Sequence, residues 1–483
     1  MPKKLTMMDA VFLAGESRES MMHVGALFPF TPPADAAPGF LRALTDELRA
    51  SARVCAPWNL KLRFPELLKN PLQSWVEDDD FDIDYHVRRS ALPSPGDERE
   101  LGILVSRLHG ASIDFHRPPW ELHIIEGLEG GRFALYFKIH HALVDGYTGM
   151  KMLAATLSTD PADRSTPMFF AQPPRPRRSR DDADGDGDGD ARPDPDDDAA
   201  VPTLDALFEA AREQAGAARV AGRALMNVVR SVRAGDHQLV APMQAPRTIF
   251  NRRISRNRRF ATQQYAIDRL RRVAHAVGGT VNDACLALCG AALRRYLLEL
   301  DALPDEPLIA MLPVNVRPKD DPGGGNAVGS ILASLATDLE DPVERLHAIV
   351  ASTHRAKEQL RGMSKNAILQ YSAMMMAPLS LQQLTFTAGR MRPAFNLVIS
   401  NVPGPTQPLY FRGARMEALY PLSIPFHGYG LNITINGYID TLNFGFTGCR
   451  VGLPHLQRLA VYAGDALEEL EAALPDAAAA TPA

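Results

Sequence analysis

The sequence has few cysteines. Four occur among 483 residues, at Cys55, Cys285, Cys289 and Cys449, and their spacing shows no paired pattern. This excludes a disulfide-stabilised secreted scaffold and predicts small, buried, apolar side chains in a reducing compartment. Cys285 and Cys289 lie four residues apart on a predicted helix, but no His or second Cys pair accompanies them. We therefore predict no metal site.

Long apolar runs and an excess of positive charge are also missing. No stretch reaches the roughly 18 uninterrupted apolar residues that span a bilayer, and residues 1–6 lack the apolar run of a signal peptide. The formal net charge is −5, which argues against a nucleic-acid binder because such a protein needs a basic face. We expect a cytoplasmic protein, either free or peripheral on the inner face of the membrane or on lipid droplets.

The composition and length predict a globular chain with two domains. The apolar content is 46% and the charged content 23%, and 483 residues are too many for one ordinary core. Between the two halves the composition changes sharply to Asp, Gly and Pro, which cannot bury enough apolar surface to offset the entropy of ordering. We predict a first lobe over 1–165, a disordered acidic linker over 166–202, a crossover helix and second lobe over 203–474, and a flexible tail over 475–483.

The acidic linker also offers a calcium-binding interpretation. Asp182, Asp184, Asp186 and Gly187 fit the start of an EF-hand loop, but Pro193 stands where a bidentate Glu is required. A solvated linker is favoured.

Hydrophobic periodicity predicts helices mixed with strands, which is typical of α/β layers rather than a bundle or a sandwich. The segments are helices at 38–50, 98–109, 149–157, 203–235 and 281–299, strands at 81–87, 133–139, 308–316 and 395–402, and a hairpin over 431–446 that turns near 437–440.

The chemistry is concentrated in His140-His141-Ala142-Leu143-Val144-Asp145-Gly146, which follows the strand predicted at 133–139. A histidine at a strand-to-helix turn projects from the end of a sheet, and its ordinary pKa near 6.5 suits it to act as a general base. The spacing alone equally allows a metal-binding or a structural histidine pair. The carboxylate of Asp145 can orient the loop without touching the imidazole, and Gly146 permits an unusual backbone angle.

Five further segments accompany this motif in order along the chain. They are Leu5–Leu13 with Met22–Gly25, Pro118–Glu121, Val281–Asp283, Asn315–Arg317 and Ser400–Pro405. Together with the histidine motif they resemble the bacterial wax ester synthase/diacylglycerol acyltransferase family, within the coenzyme A-dependent acyltransferase superfamily. One departure is Pro119, which stands where the family has leucine.

The resemblance implies an α/β fold of two chloramphenicol-acetyltransferase-like lobes with a tunnel between them. It implies transfer of a long-chain fatty acyl group from acyl-CoA, a substrate, to diacylglycerol or a long-chain fatty alcohol, without a cofactor or metal. His141 matches the family's base and His140 a supporting position. Asp145 matches a structural carboxylate whose expected partner is Arg317, and Gly146 a position where bulk would obstruct the channel.

Other matched residues carry alternative interpretations. Asn282 and Asp283 match a motif that shapes the active site, although Thr280 or Asn282 could simply cap the following helix. Trp120 reads as a core tryptophan more than as a substrate contact. Ser400 and Asn401 are interpreted slightly more readily as turn residues than as catalytic ones.

A Met-rich segment at 374–386 contains few charges. Core packing is the favoured interpretation; an adaptable wall for an acyl chain or a patch that rests on lipid is the other.

Two alternatives to the acyl-CoA enzyme remain. One is a condensation-type acyltransferase that uses carrier-bound donors, and the other is a non-catalytic lipid-binding relative.

Overall fold

The computed structural model describes residues 3–50, 53–70, 72–144, 146–172, 204–236, 238–315 and 328–474. Most of the predicted linker, including the calcium-like run at Asp182, lies outside these ranges, and so does the predicted tail at 475–483. The domain boundaries therefore stay a prediction.

Helices and strands alternate along the chain. The helices are α1 (Met7–Gly15), α2 (Phe40–Arg49), α3 (Ile83–His86), α4 (Glu98–His109), α5 (Gly146–Ala154), α6 (Leu204–Arg233), α7 (Ile267–Ala276), α8 (Val281–Glu299), α9 (Pro342–Leu360), α10 (Lys365–Leu384) and α11 (Arg458–Ala473). The strands are β1 (Lys3–Lys4), β2 (His23–Thr31), β3 (Leu60–Leu62), β4 (Ser74–Glu77), β5 (Val87–Ala91), β6 (Trp120–Glu126), β7 (Phe133–His140), β8 (Arg258–Ala266), β9 (Ile309–Asn315), β10 (Val328–Ser334), β11 (Leu397–Val402), β12 (Tyr410–Phe411), β13 (Ala414–Met416), β14 (Tyr420–Leu422), β15 (Leu431–Tyr438) and β16 (Thr441–Cys449).

The first sheet has the strand order β12-β13-β2-β7-β6-β5, and β14 also pairs with β2. Its central strands β2 and β7 are antiparallel and align His23 with His140. Strands β12 to β14 belong to the second half of the chain, so each half contributes to this sheet. A small sheet of order β1-β4-β3 lies beside it.

The second sheet has the order β10-β9-β11-β15-β16-β8. Strands β15 and β16 alternate apolar and polar residues, so one face is apolar. Ile433 and Phe444 on that face share a buried cluster with Leu288 of α8 and Leu467 of α11. Burial of such side chains contributes roughly 1.5–3 kcal/mol each, which makes this cluster the main core of the second lobe.

Helix α4 joins the two lobes. Leu104 and Val105 share a buried cluster with Phe260 of β8 and Leu422 of β14. The Ser106 hydroxyl accepts a hydrogen bond from the Phe260 N–H at 2.9 Å. The arrangement confirms the predicted α/β fold of two lobes.

The elements that local sequence patterns predicted are present, with one error. The predicted helices at 98–109 and 281–299 and the hairpin are confirmed. The strand predicted over 81–87 is wrong, because residues 83–86 form α3 and a strand begins only at Val87. The Asp82 carboxylate accepts hydrogen bonds from the N–H groups of Asp84 and Tyr85, and this cap starts a helical turn that alternation could not reveal.

Buried histidines in the first lobe make its stability depend on pH. Burial lowers the pKa of His86 to about 4 and that of His109 to about 3. The His86 Nδ1–H donates to the Trp120 carbonyl at 2.8 Å, while its Nε2 is buried without a partner. Protonating that nitrogen would place a charge in an apolar site.

We expect the unfolding free energy to fall as the pH drops below about 6.5, because the unfolded chain then binds more protons than the folded one. At pH 5 the loss is on the order of 2 kcal/mol for each of these two histidines. Urea unfolding of the wild type and of His86→Phe at pH 7.5 and 5.0 measures it. The variant should lose less stability between the two pH values, and an unchanged difference would contradict the assignment.

Candidate active site

The two histidines of the motif lie at the end of the central strand β7. The His140 N–H donates to the Pro119 carbonyl and the His141 N–H to the Met22 carbonyl, each at 2.9 Å. The His140 carbonyl then accepts the Leu143 N–H at 3.0 Å, which turns the chain toward α5. The backbone of both histidines is thus fixed from two sides.

The His140 ring is held by a carboxylate that the sequence motifs did not include. Its Nδ1 accepts the Ala142 N–H at 3.2 Å, so in the neutral ring the proton lies on Nε2. Nε2 is 3.3 Å from a carboxylate oxygen of Glu16, and the same oxygen accepts the Met22 N–H at 2.5 Å. His140 is 1% exposed, so this pairing fixes both the tautomer and the ring orientation.

His141 is only partly buried, and its ring stacks on Phe12. The ring centroids are 3.9 Å apart at an interplanar angle of 20°. Phe12 lies on α1, which begins with a capping box between Thr6 and Asp9. This box explains part of the opening motif, because it starts the helix that carries Phe12 and leads to Glu16.

Two predicted partners of the motif lie outside the described residues. Asp145 and Arg317 belong to parts of the chain that the structure does not describe, so their pairing stays a prediction. Gly146 is the first residue of α5.

At the start of α8, Asp283 is a capping residue. Its carboxylate accepts the Thr280 N–H at 2.8 Å and the Thr280 hydroxyl, while its other oxygen accepts the Thr353 hydroxyl at 2.7 Å. Asp283 is 3% exposed, so it anchors the helix start to α9. Thr280, not Asn282, is the N-cap.

Asn282 faces the strand that carries Ser400 and Asn401. The Asn401 side-chain amide donates to the Asn282 Oδ1 at 3.4 Å, so two of the separately matched motifs meet. Both Ser400 and Asn401 lie within β11 and pair with β15. The turn interpretation of these two residues is therefore wrong, because the chain leaves the strand only at Pro403.

Trp120 is buried completely in the first lobe. Its Nε1–H donates to the Trp58 carbonyl at 2.8 Å, and its ring stacks on His86 at 4.5 Å between centroids. The side chain supports the sheet next to the strand that presents His140.

A cavity of ≈ 220 Å³ lies between residues of the two halves of the chain. Its wall is largely apolar, with Asn436 and Lys151 as polar members; the lining includes Phe28, Ala154, Leu157, Val402, Leu409, Met416 and Leu419. The Asn436 Oδ1 is buried and accepts no hydrogen bond. The largely apolar wall suits a hydrocarbon chain.

Two properties concern metals and membranes. Within the described ranges, no group of three or more His, Cys, Asp or Glu side chains could hold a metal ion. Over those same ranges no single helix is long and apolar enough to cross a bilayer, although the bent pair α7 and α8 reaches both limits together by length and composition.

Sequence reasoning missed Glu16, Phe12 and Asn436. Glu16 and Phe12 lie within or just after the matched opening segment, so that segment was the available signal. Asn436 had none, because alternation along β15 gives no indication of which polar residue lines a cavity.

Known proteins similar to this chain agree with the geometry. A model of the wax ester synthase/diacylglycerol acyltransferase catalytic domain matches residues 5–285, and one of the C-terminal domain of that family matches residues 324–471. A Mycobacterium tuberculosis protein that bears the name of a diacylglycerol O-acyltransferase is 54% identical over 98% of this chain and 97% of its own length. The O-acyltransferase WSD of Acinetobacter baylyi is 39% identical over 96% of both chains.

Solved structures give the same result. The wax ester synthase/diacylglycerol acyltransferase from Marinobacter aquaeolei VT8 has a TM-score of 0.76 and 37% identity, covering 98% of this chain and 100% of that one. The first condensation domain of the calcium-dependent antibiotic synthetase, with a TM-score of 0.54 and 15% identity, covers 97% of this chain and 95% of its own; it shares the fold. The chain therefore belongs to the wax ester synthase/diacylglycerol acyltransferase family and is an O-acyltransferase.

Proposed function

We propose that the protein transfers a long-chain fatty acyl group from acyl-CoA to diacylglycerol, to a long-chain fatty alcohol, or to both, with His141 as general base. The turn after β7 carries this proposal. It fixes His140 through Glu16 and presents the next side chain, partly exposed, against Phe12. A base held in this way loses little entropy when the acceptor hydroxyl arrives.

The proposed reaction needs one proton carrier and no covalent enzyme intermediate. The acceptor oxygen attacks the thioester carbonyl while the His141 imidazole takes the hydroxyl proton. The tetrahedral intermediate then collapses, the C–S bond breaks, and the imidazolium returns its proton to the thiolate, which leaves an ester and free CoA. In this proposal no cofactor or metal takes part. Asn282 is a candidate to donate to the oxyanion.

The experiment that tests the function compares two acceptors. Purified protein with radiolabelled palmitoyl-CoA is given diacylglycerol and hexadecanol in parallel, and the products are resolved by thin-layer chromatography. We expect triacylglycerol, wax ester or both. Turnover from acyl-CoA alone would exclude dependence on a carrier protein, whereas lipid binding without any ester would favour a non-catalytic relative.

The interlobe cavity is proposed to hold part of a substrate hydrocarbon chain. Replacing Ala154 with Phe would fill it from α5, because Ala154 lines its wall. We expect the rate with palmitoyl-CoA and hexadecanol to fall about tenfold, while shorter chains retain most of theirs, since each lost buried CH₂ is worth about 0.8 kcal/mol. Rates measured across a series of chain lengths check this.

Ala154→Ser is the matched control, because it changes the same position with little added volume. An equal loss at all chain lengths in Ala154→Phe would contradict a chain-binding role.

The proposed acceptors are lipids, so we also propose that the protein acts while bound to a lipid surface. Either the inner face of a membrane or a lipid droplet would supply diacylglycerol and fatty alcohol from an apolar phase.

A further inference from the structure

Four large apolar side chains are exposed together where α10 ends. Leu381 and Leu384 on its last turn are 61% and 77% exposed, and Phe386 and Met391 in the following turn are 70% and 51% exposed. We call these four residues the α10 tip. By contrast Met375, within the same helix, is 1% exposed, so the Met-rich segment is core at one end and surface at the other.

The backbone of the tip presents Phe386 to solvent in a costly conformation. The Phe386 N–H bonds to the Gln383 carbonyl and the Thr387 N–H to the Gln382 carbonyl, which is a Schellman motif. Phe386 occupies its left-handed position with φ 56°, where glycine is usual. The two hydrogen bonds hold this turn, and the turn leaves the Phe386 ring largely exposed.

Exposed arginines lie next to the tip. Two segments that contain no Asp or Glu, residues 359–416 and 237–267, supply them, and Arg252 and Arg253 are exposed. The two segments meet where Gly389 approaches the backbone of Arg252 and Arg253. Arg390 is exposed beside Met391. Of the neighbouring carboxylates, Glu306 is paired with Arg392, and Glu19 lies near His427.

Hydrogen bonds connect the tip to the loop that holds the histidine pair. The Gln383 amide donates to the His427 carbonyl at 3.0 Å, and the His427 N–H donates to the Ser20 hydroxyl at 3.2 Å. Ser20 belongs to the loop between Glu16 and Met22. The Met22 N–H donates to the Glu16 carboxylate. A chain of hydrogen bonds thus joins the end of α10 to the loop that supports His140.

We propose that the α10 tip, with Arg252, Arg253 and Arg390 around it, rests on a lipid surface that contains anionic headgroups. The inference builds on the proposed function, because the acceptors dissolve in such a surface. The four apolar side chains enter the boundary between headgroups and acyl chains, and the arginines contact the phosphates. The positive charge acts locally although the whole chain carries −5.

Flotation of the full chain with vesicles tests the proposal. Vesicles of phosphatidylcholine alone and of phosphatidylcholine with about one third phosphatidylglycerol are compared at low and high salt. We expect wild-type protein to float with the anionic vesicles, and Leu384→Asp/Phe386→Asp to lose at least tenfold in affinity. Arg252→Gln/Arg253→Gln should lose the salt-sensitive part of binding.

Leu72→Asp is the matched control, since Leu72 is 76% exposed in the first lobe. Equal binding by wild type and Leu384→Asp/Phe386→Asp would overturn the proposal, and so would an equal loss in Leu72→Asp. A wild-type dimer that fails to float and that the double variant dissociates would also overturn it, by making the tip a contact between copies.

Activity toward a water-soluble short-chain alcohol separates this proposal from the function itself. The double variant should keep that activity while losing activity toward diacylglycerol in anionic vesicles. A wild type that floats but forms no ester would contradict the proposed function and leave the lipid contact supported.

Discussion

Replacing His141 with alanine is expected to reduce acyl transfer from palmitoyl-CoA by about 10³-fold. The acceptor hydroxyl would then have to lose its proton to water as it attacks, and the imidazolium that reprotonates the thiolate would be missing. The loss should appear in kcat with little change in KM, because the imidazole acts on the proton that is transferred in the transition state and does not bind the substrate hydrocarbon chains. Initial rates with labelled palmitoyl-CoA and saturating diacylglycerol measure this.

Two controls make the result specific. His354→Ala removes an exposed histidine of α9 and should leave the rate unchanged. Thermal unfolding of His141→Ala should stay within a few degrees of wild type, since the ring is only partly buried and packs on Phe12 from one side. Near-normal transfer by a well-folded His141→Ala protein would show that His141 is not the base.

Elements that depend on neighbours in sequence were predictable. Hydrophobic spacing predicted the bounds of α4 and α8. Both helices begin at caps formed by nearby residues, Asp97 for α4 and the Thr280–Asp283 box for α8. Strands β12, β13 and β14 were not foreseen. They have only two or three residues each, too short for a period-two pattern. Strands β13 and β14 pair with β2 in the other half of the chain, and β12 pairs with β13.

The site divides in the same way. The histidine motif located His140 and His141 because its residues are consecutive in the sequence. The Asn282–Asn401 contact joins positions 119 residues apart, and the Glu16–His140 contact spans 124. Spacing along the chain carries no information about such pairs, so the matched segments could name Asn282 and Asn401 without showing that they meet.

After His141, Glu16 is the residue whose replacement should lower the acyl-transfer rate most. In Glu16→Ala the buried Nε2–H of His140 and the N–H of Met22 both lose their acceptor, and unsatisfied buried donors favour rearrangement of the turn. His141 follows His140 directly, and its N–H bonds to the Met22 carbonyl, so it would shift with that turn. A displacement near 1 Å lowers a rate by about 10²-fold.

The conservative variant Glu16→Gln separates positioning from charge. Its amide oxygen can take the place of the carboxylate oxygen that accepts both hydrogen bonds, so only the charge is lost. We expect a loss of about tenfold, between wild type and Glu16→Ala. Glu66→Gln is the matched control, because Glu66 bonds to His116 at 2.9 Å on the exposed surface, and it should leave the rate unchanged.

The separation of kcat from KM decides the role of Glu16. If the carboxylate positions the base, Glu16→Ala lowers kcat while KM for palmitoyl-CoA stays near its wild-type value. The reason is that Glu16 bonds to His140 and Met22 and has no proposed contact with the substrate. A purely structural carboxylate would instead lower the unfolding temperature and leave the kcat of the folded fraction unchanged. Measuring kcat per folded molecule at a temperature well below unfolding therefore distinguishes the two, and an unchanged value would remove Glu16 from the catalytic arrangement.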